Sequence, residues 1–277
     1  YKISRILGLK ISSMIGGSLL FFYGKFSSKN KIALDNLSKA FPNKTIIEKR
    51  NIINKMWFHF GRVLGEYPHL DKIKVLNNND IKIEGLGNLL NPLKKNKNCL
   101  FFSAHLGNWE LFGLWLTQYR PYTAMFRPLR VPEISALVRH ARERGGNHLV
   151  PTTTAGVKAM LKRLKHNECA IVLPDQAPKE GEGAYASFFG LDVLTPVLPY
   201  RLALATNARV FIGAALKTQE GYEVVLKKLN DPIADDQDHW LLMMNREIEA
   251  LVREYPEQYQ WEYRRFRNAP DGSLRYP

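Results

Sequence analysis

A chain of 277 residues, 45% of them hydrophobic, can bury a sizeable core and is compatible with one domain plus a smaller element. The formal net charge of +14 does not bear on fold, but it would draw the chain to nucleic acid, an anionic membrane surface or an acidic carrier protein. Two cysteines, Cys99 and Cys169, lie in apolar runs with no CxxC pair, which excludes a disulfide framework and a zinc site and suits buried thiols in a reducing compartment.

Along the chain, the first 25 residues are apolar but are interrupted by Arg5, Lys10 and Lys25, and the uncharged window Ile11–Gly24 holds 14 residues. A bilayer-spanning helix needs about 20. Residues 1–30 are therefore expected to form a membrane-contacting or re-entrant segment, with Phe21-Phe22-Tyr23 at the interface. A core-packing amphipathic helix is the alternative. A chain that opens on Tyr is expected to be a fragment or a processed form, and a spanning segment could precede it.

Residues 31–277 are expected to form one domain, with a helical lead-in over 31–76 and an α/β core over 77–277. In the lead-in, residues 31–67 read as helical, broken at Phe41-Pro42-Asn43. Met56, Trp57, Phe60, Val63, Leu64 and Tyr67 recur there at the spacing of a core-facing stripe. From Asn77 to Asn98 the chain is loop-rich, with a short strand over 81–84. Beyond it, strand-like runs cover 99–104, 122–126, 170–173, 210–216 and 222–226. Helical patterns cover 111–116, 132–144, 154–166, 198–206 and 238–255. This alternation argues a layered α/β/α domain with a largely parallel central sheet, preceded by the N-terminal helical region. Such sheets bind ligands at the carboxyl ends of their strands, where His105, Arg127 and Asp175 all fall.

The stretch His105-Leu-Gly-Asn-Trp-Glu110 sets an imidazole and a carboxylate five residues apart. That is a poor spacing for two side chains to meet on one helix, but it suits a turn at a strand end, where Gly107 and Asn108 let the chain double back. Glu110 could then hold the ring N–H of His105 and leave the other nitrogen free to take a proton. The plainer reading is a satisfied histidine beside an unrelated surface Glu. Arg142 and Arg144 end a helix ahead of two glycines, where cations also serve a purely structural purpose. Asp175 could orient a site arginine or a substrate, or simply cap a turn. The segment Trp261-Glu-Tyr-Arg-Arg-Phe-Arg267 interleaves aromatics with arginines, a texture that could serve single-stranded nucleic acid. No RRM, KH or helix-turn-helix signature accompanies it. The remaining histidines (59, 69, 140, 148, 166 and 239) show no metal-ligand spacing, so no metal or cofactor is implied.

The six-residue box resembles the histidine–acid signature of the late acyltransferases of lipid A biosynthesis, within the wider lysophospholipid acyltransferase superfamily. The resemblance runs from about Lys31 to the C-terminus. It includes Lys31-Ile-Ala-Leu-Asp-Asn-Leu37 with Phe41-Pro42, Phe126-Arg127-Pro128, Pro174-Asp175-Gln176, Pro256-Glu-Gln-Tyr-Gln-Trp261 and Arg264-Arg265-Phe266. It implies transfer of a fatty acyl group from an acyl-carrier-protein thioester to a hydroxyl of an anionic glycolipid, at the cytosolic face of the inner membrane. His105 is then the expected general base, with Glu110 fixing its tautomer. Arg127, Arg142, Arg144 and Asp175 are expected to bind substrate. No GxSxG elbow occurs, so direct transfer is expected rather than an acyl-serine intermediate. Two alternatives stay open: a lysophospholipid or other glycolipid as acceptor, and a non-enzymatic basic protein binding membrane or nucleic acid.

Overall fold

The computed structural model describes residues 2–70, 81–84, 86–95, 97–129, 131–219, 221–229 and 236–276. The end of the expected lead-in (71–76) and the Asn77-Asn78-Asn79 run lie outside these residues. The chain starts with three helices, α1 (Lys2–Phe26), α2 (Lys29–Ala40) and α3 (Ile46–Glu66). The break expected at Phe41-Pro42-Asn43 separates α2 from α3. The latter opens with a capping box: Thr45 Oγ1 accepts from Glu48 N–H at 3.3 Å while the Thr45 N–H donates to Glu48 Oε2 at 2.7 Å.

The α1 helix is bent at Gly8 (φ 80°) and lies on α3 through its small residues. A Cβ at Gly16 would sit 2.3 Å from the Gly61 carbonyl oxygen, and one at Gly65 would sit 2.2 Å from that of Ser12. The two backbones touch, which only glycine permits. With its small face turned inward, α1 leaves Ile11, Ile15, Leu19, Phe22 and Phe26 exposed along one stripe. The segment thus packs by one face and presents bulky apolar groups on the other. No helix among the described residues is long and apolar enough to cross a membrane.

The core is built from β1 (Ile81–Glu84), α4 (Leu86–Lys94), β2 (Cys99–Phe102), α5 (Trp109–Thr117), β3 (Tyr122–Phe126), α6 (Pro132–Glu143), β4 (His148–Pro151), α7 (Thr154–Lys165) and β5 (Cys169–Val172). There follow β6 (Gly183–Phe188), β7 (Leu191–Pro196), α8 (Leu198–Thr206), β8 (Arg209–Lys217), β9 (Tyr222–Lys228) and α9 (Gln237–Glu254). Seven strands form one sheet in the order β1-β9-β8-β2-β5-β3-β4, parallel at every junction except β8–β9. Alternate side chains of β2 enter two cores. Leu100 and Phe102 join one with α2, α3 and α9, while Cys99 and Phe101 join another with α5. A strand buried on both faces reads as one unbroken apolar run, which is why 99–102 stands out in the sequence.

Sequence patterning gave no sign of β4, α4 or the separate β6–β7 hairpin. The hairpin turns at Phe189 and Gly190, both at positive φ (52° and 75°), in place of an Asn-Gly pair. Phe189 is held there by tertiary contacts. Its N–H donates to Glu249 Oε2 at 2.6 Å, and its ring packs edge-on against Trp261 and Phe41.

Candidate active site

Register assembles the site. β2 and β5 are parallel neighbours with Phe102 opposite Val172, so the residues three beyond each, His105 and Asp175, emerge side by side. The His105 Nδ1–H donates to Asp175 Oδ1 at 2.9 Å, and the His105 backbone N–H donates to Asp175 Oδ2 at 3.0 Å. A carboxylate accepts only, so the imidazole proton sits on Nδ1 and Nε2 carries the lone pair. Burial alone would lower the His105 pKa, but the charge and hydrogen bond of Asp175 outweigh it and the net shift is upward. The Asp175 side chain is 2% exposed; burial would raise its pKa, yet the His105 partnership holds it below the usual carboxylate value.

This corrects the expected pairing within the box. Glu110 does not hold His105. It is the second residue of α5 and faces α6, where Arg142 Nε donates to its Oε2 at 2.9 Å and to its Oε1 at 3.2 Å, with Nη2 also on Oε1. The indole N–H of Trp109 donates to Oε1 at 3.1 Å. A charged guanidinium fork is the stronger partner for a nearly buried carboxylate, and the strand register gives the imidazole a different acid. Asp175, expected to meet an arginine, a substrate or a turn, supplies the tautomer control instead.

The loop between His105 and α5 is held from several sides. Gly107 takes φ 63°, and a Cβ there would lie 2.2 Å from the Ala215 carbonyl oxygen. The Gly107 N–H donates to Gln258 O (3.0 Å), the Asn108 N–H to Ala215 O (2.8 Å), and the Gln260 N–H to His105 O (3.1 Å). Asn108 Oδ1 caps α5 by accepting from Leu111 N–H at 3.1 Å. From α3, His59 Nε2–H donates to Gly107 O at 3.0 Å, and Glu66 Oε2 accepts from Asn108 Nδ2 at 3.1 Å. Neither His59 nor Glu66 was legible as a site residue, since both sit within the apolar stripe of α3.

His105 opens onto a cavity of about 380 Å³ between β3, β5, α5 and the start of α8. Its walls are mainly apolar, including Tyr122, Ala124, Met125, Ile171 and Leu173. Glu110, Arg127, Arg142 and Gln176 bring the polar groups. Arg127 follows β3 and is exposed. Arg142 is on the wall, committed to Glu110. Arg144, in the turn after α6, does not line the cavity. Gln176, next to Asp175, places Nε2 3.4 Å from His105 Nε2. The arginine-aromatic segment near the C-terminus is largely internal. Arg265 is 2% exposed and donates to Leu194 O and Thr195 Oγ1, with Trp261 and Phe266 buried beside it.

An apolar cavity ending at a tautomer-fixed, carboxylate-paired imidazole suits proton abstraction from a substrate with a long apolar part. The sequence profile of the bacterial lipid A biosynthesis acyltransferases matches residues 1–268. A lipid A biosynthesis acyltransferase of Haemophilus influenzae is 26% identical, over 96% of this chain and 85% of the relative. The lipid A biosynthesis palmitoleoyltransferase of Escherichia coli is 24% identical, over 98% and 87%. The corresponding lauroyltransferase of that organism is 23% identical, over 87% and 80%.

Proposed function

Because the chain belongs to the bacterial lipid A biosynthesis acyltransferases, enzymes of acyl transfer to lipid A, we propose that it moves a fatty acyl group from an acyl-carrier-protein thioester to a hydroxyl of a lipid A precursor by direct transfer. The observation that carries this reading is the His105–Asp175 pair, with His105 facing the apolar cavity. His105 Nε2 takes the proton of the acceptor hydroxyl while Asp175 stabilises the resulting imidazolium. The hydroxyl oxygen bonds to the thioester carbon, the carbon–sulfur bond then breaks, and His105 returns the proton to the departing sulfur. The exposed fork of Arg127 at the cavity rim meets a phosphate of the acceptor, a bidentate task that suits Arg better than Lys. Arg142 acts through Glu110 to shape the wall, and so is a weaker candidate for that contact.

The outward stripe of α1 rests on the membrane surface, and the net charge of +14 adds attraction to anionic lipids and to an acidic carrier protein. Mass spectrometry of lipid A from cells with and without the gene tests the reading directly. The intact gene should add one acyl chain, and His105→Ala, folded and expressed at the same level, should add none. Normal acylation by His105→Ala would exclude the mechanism.

A further inference from the structure

A row of side-chain amides runs from His105 Nε2 to the C-terminal segment, and its direction is set at the far end. Gln260 Nε2 donates to Glu262 Oε1 at 2.9 Å, because a carboxylate can only accept. The Gln260 amide is thereby turned so that its Oε1 accepts from Gln176 Nε2 at 3.1 Å. Gln176 Nε2 has a second N–H, and that one meets His105 Nε2 at 3.4 Å. His105 Nδ1–H is given to Asp175, so Nε2 is an acceptor and the row agrees with itself in this orientation. If the Gln176 amide were reversed, two acceptors would face each other at both of its contacts.

During transfer the acceptor hydroxyl must occupy the Nε2 lone pair. Gln176 then loses that acceptor while Gln260 still holds it in place, which leaves one N–H aimed at the reacting centre without a partner. The oxygen that gains negative charge beside this point is the thioester carbonyl, as its π pair moves onto oxygen during hydroxyl addition. Arg142 is committed to Glu110. We propose that Gln176 is a catalytic residue that donates its freed N–H to this oxyanion, with Gln260 and Glu262 as positioning residues that fix which way its amide faces. When the electron pair returns, the carbon–sulfur bond breaks and the N–H goes back to His105. The assignment rests on the acyl-transfer reading above.

The test uses the full-length protein with an acyl-carrier-protein thioester and a lipid A precursor. Gln176→Ala should lower kcat and kcat/KM together by about 10²-fold, with KM for the acceptor unchanged. Gln176→Glu keeps the shape but removes the N–H. It should lose at least as much activity and move the pH–rate inflection upward, because its charge favours the imidazolium. Glu262→Gln frees Gln260 to face either way and should show a smaller loss. A second measurement needs no turnover. Calorimetry of methyl dodecylphosphonate, an anionic tetrahedral mimic of the intermediate, should show binding weakened about 10-fold or more by Gln176→Ala. Binding of uncharged methyl laurate should not change. Unaltered phosphonate affinity, or a loss confined to KM for the acceptor, overturns the proposal. A wild type without turnover that still binds the phosphonate through Gln176 would overturn the proposed donor and acceptor and leave the oxyanion contact standing.

Discussion

His105 takes its tautomer from Asp175 while Glu110 belongs to Arg142, so conservative changes at the two acids should give different failures. Asp175→Asn has one acceptor oxygen for two donors, the ring N–H and the backbone N–H of His105. Its amide can also turn to donate to Nδ1 and push the proton onto Nε2, so kcat should fall by about 10²–10⁴-fold. Glu110→Gln keeps the hydrogen-bonding shape but leaves the partly buried Arg142 guanidinium without its counter-charge, which destabilises the fold. That variant should melt several degrees lower, with the pH–rate profile of the wild type. A histidine base works only when neutral, and the folded pKa of His105 is raised, so under the proposed mechanism log kcat/KM should fall on acidification through an inflection above 6.5. Asp175→Asn should move that inflection down. An unmoved inflection in Asp175→Asn, or a displaced one in Glu110→Gln, would return the tautomer role to Glu110. Sequence alone located His105 by its five-residue spacing to Glu110 across a turn at Gly107 and Asn108, and located Asp175 by its place after an apolar run. It did not reveal that they meet, because that depends on β2 lying beside β5, a fact of strand order between residues 70 apart.

At the scale of elements, α3 acts as a clamp on the box. His59 holds the Gly107 carbonyl and Glu66 Oε2 accepts from the Asn108 amide and the Tyr222 hydroxyl, while Ser13 of α1 donates to Glu66 Oε1 at 2.8 Å. His59 is 6% exposed, and burial lowers its pKa from 6.5 to about 4 despite the opposing hydrogen bond to Gly107. A depressed histidine stabilises the fold fully above its unfolded pKa, and that stability is lost as pH falls from 6.5 toward 4, where the unfolded chain binds the extra proton. The contribution is roughly 3 kcal/mol. His59→Gln keeps an N–H for Gly107 without titrating. The gap in urea-unfolding free energy between pH 7.5 and pH 4.5 should therefore shrink by about that amount relative to wild type. An equal gap in both proteins would show that His59 is not the titrating clamp. The parts of the fold legible from sequence share one property, burial on both faces or a regular apolar stripe, as in β2, β5 and α3. The β6–β7 hairpin was not legible, since Phe189 is forced to positive φ by Glu249, Trp261 and Phe41 rather than by a local turn preference. Nor was β4, whose residues are half-exposed and offer no apolar run.

Across the whole molecule, the apolar side of α1 and the positive charge act on the same partner if that partner is an anionic bilayer. Replacing Leu19 and Phe22 by Asn leaves the glycine face on α3 intact and removes two of the exposed groups. Co-sedimentation with anionic vesicles should fall at 0.15 M salt and be nearly lost at 0.5 M, where surface attraction is screened. Undiminished pelleting of the double variant would remove α1 as the contact. The topology also sets a timetable. His105 is made early, but Gln258 and Gln260, which tie down its loop, leave the ribosome roughly 150 residues later. At ~5–20 residues per second that is an interval of roughly 8–30 s. Through that interval the nascent chain carries His105 without the strap that holds its loop. β1 likewise waits for β9 before it can pair. A chain stopped short of the strap would hold most of the sheet without the contacts that fix the His105 loop, so the geometry of the box arrives with the strap and not gradually.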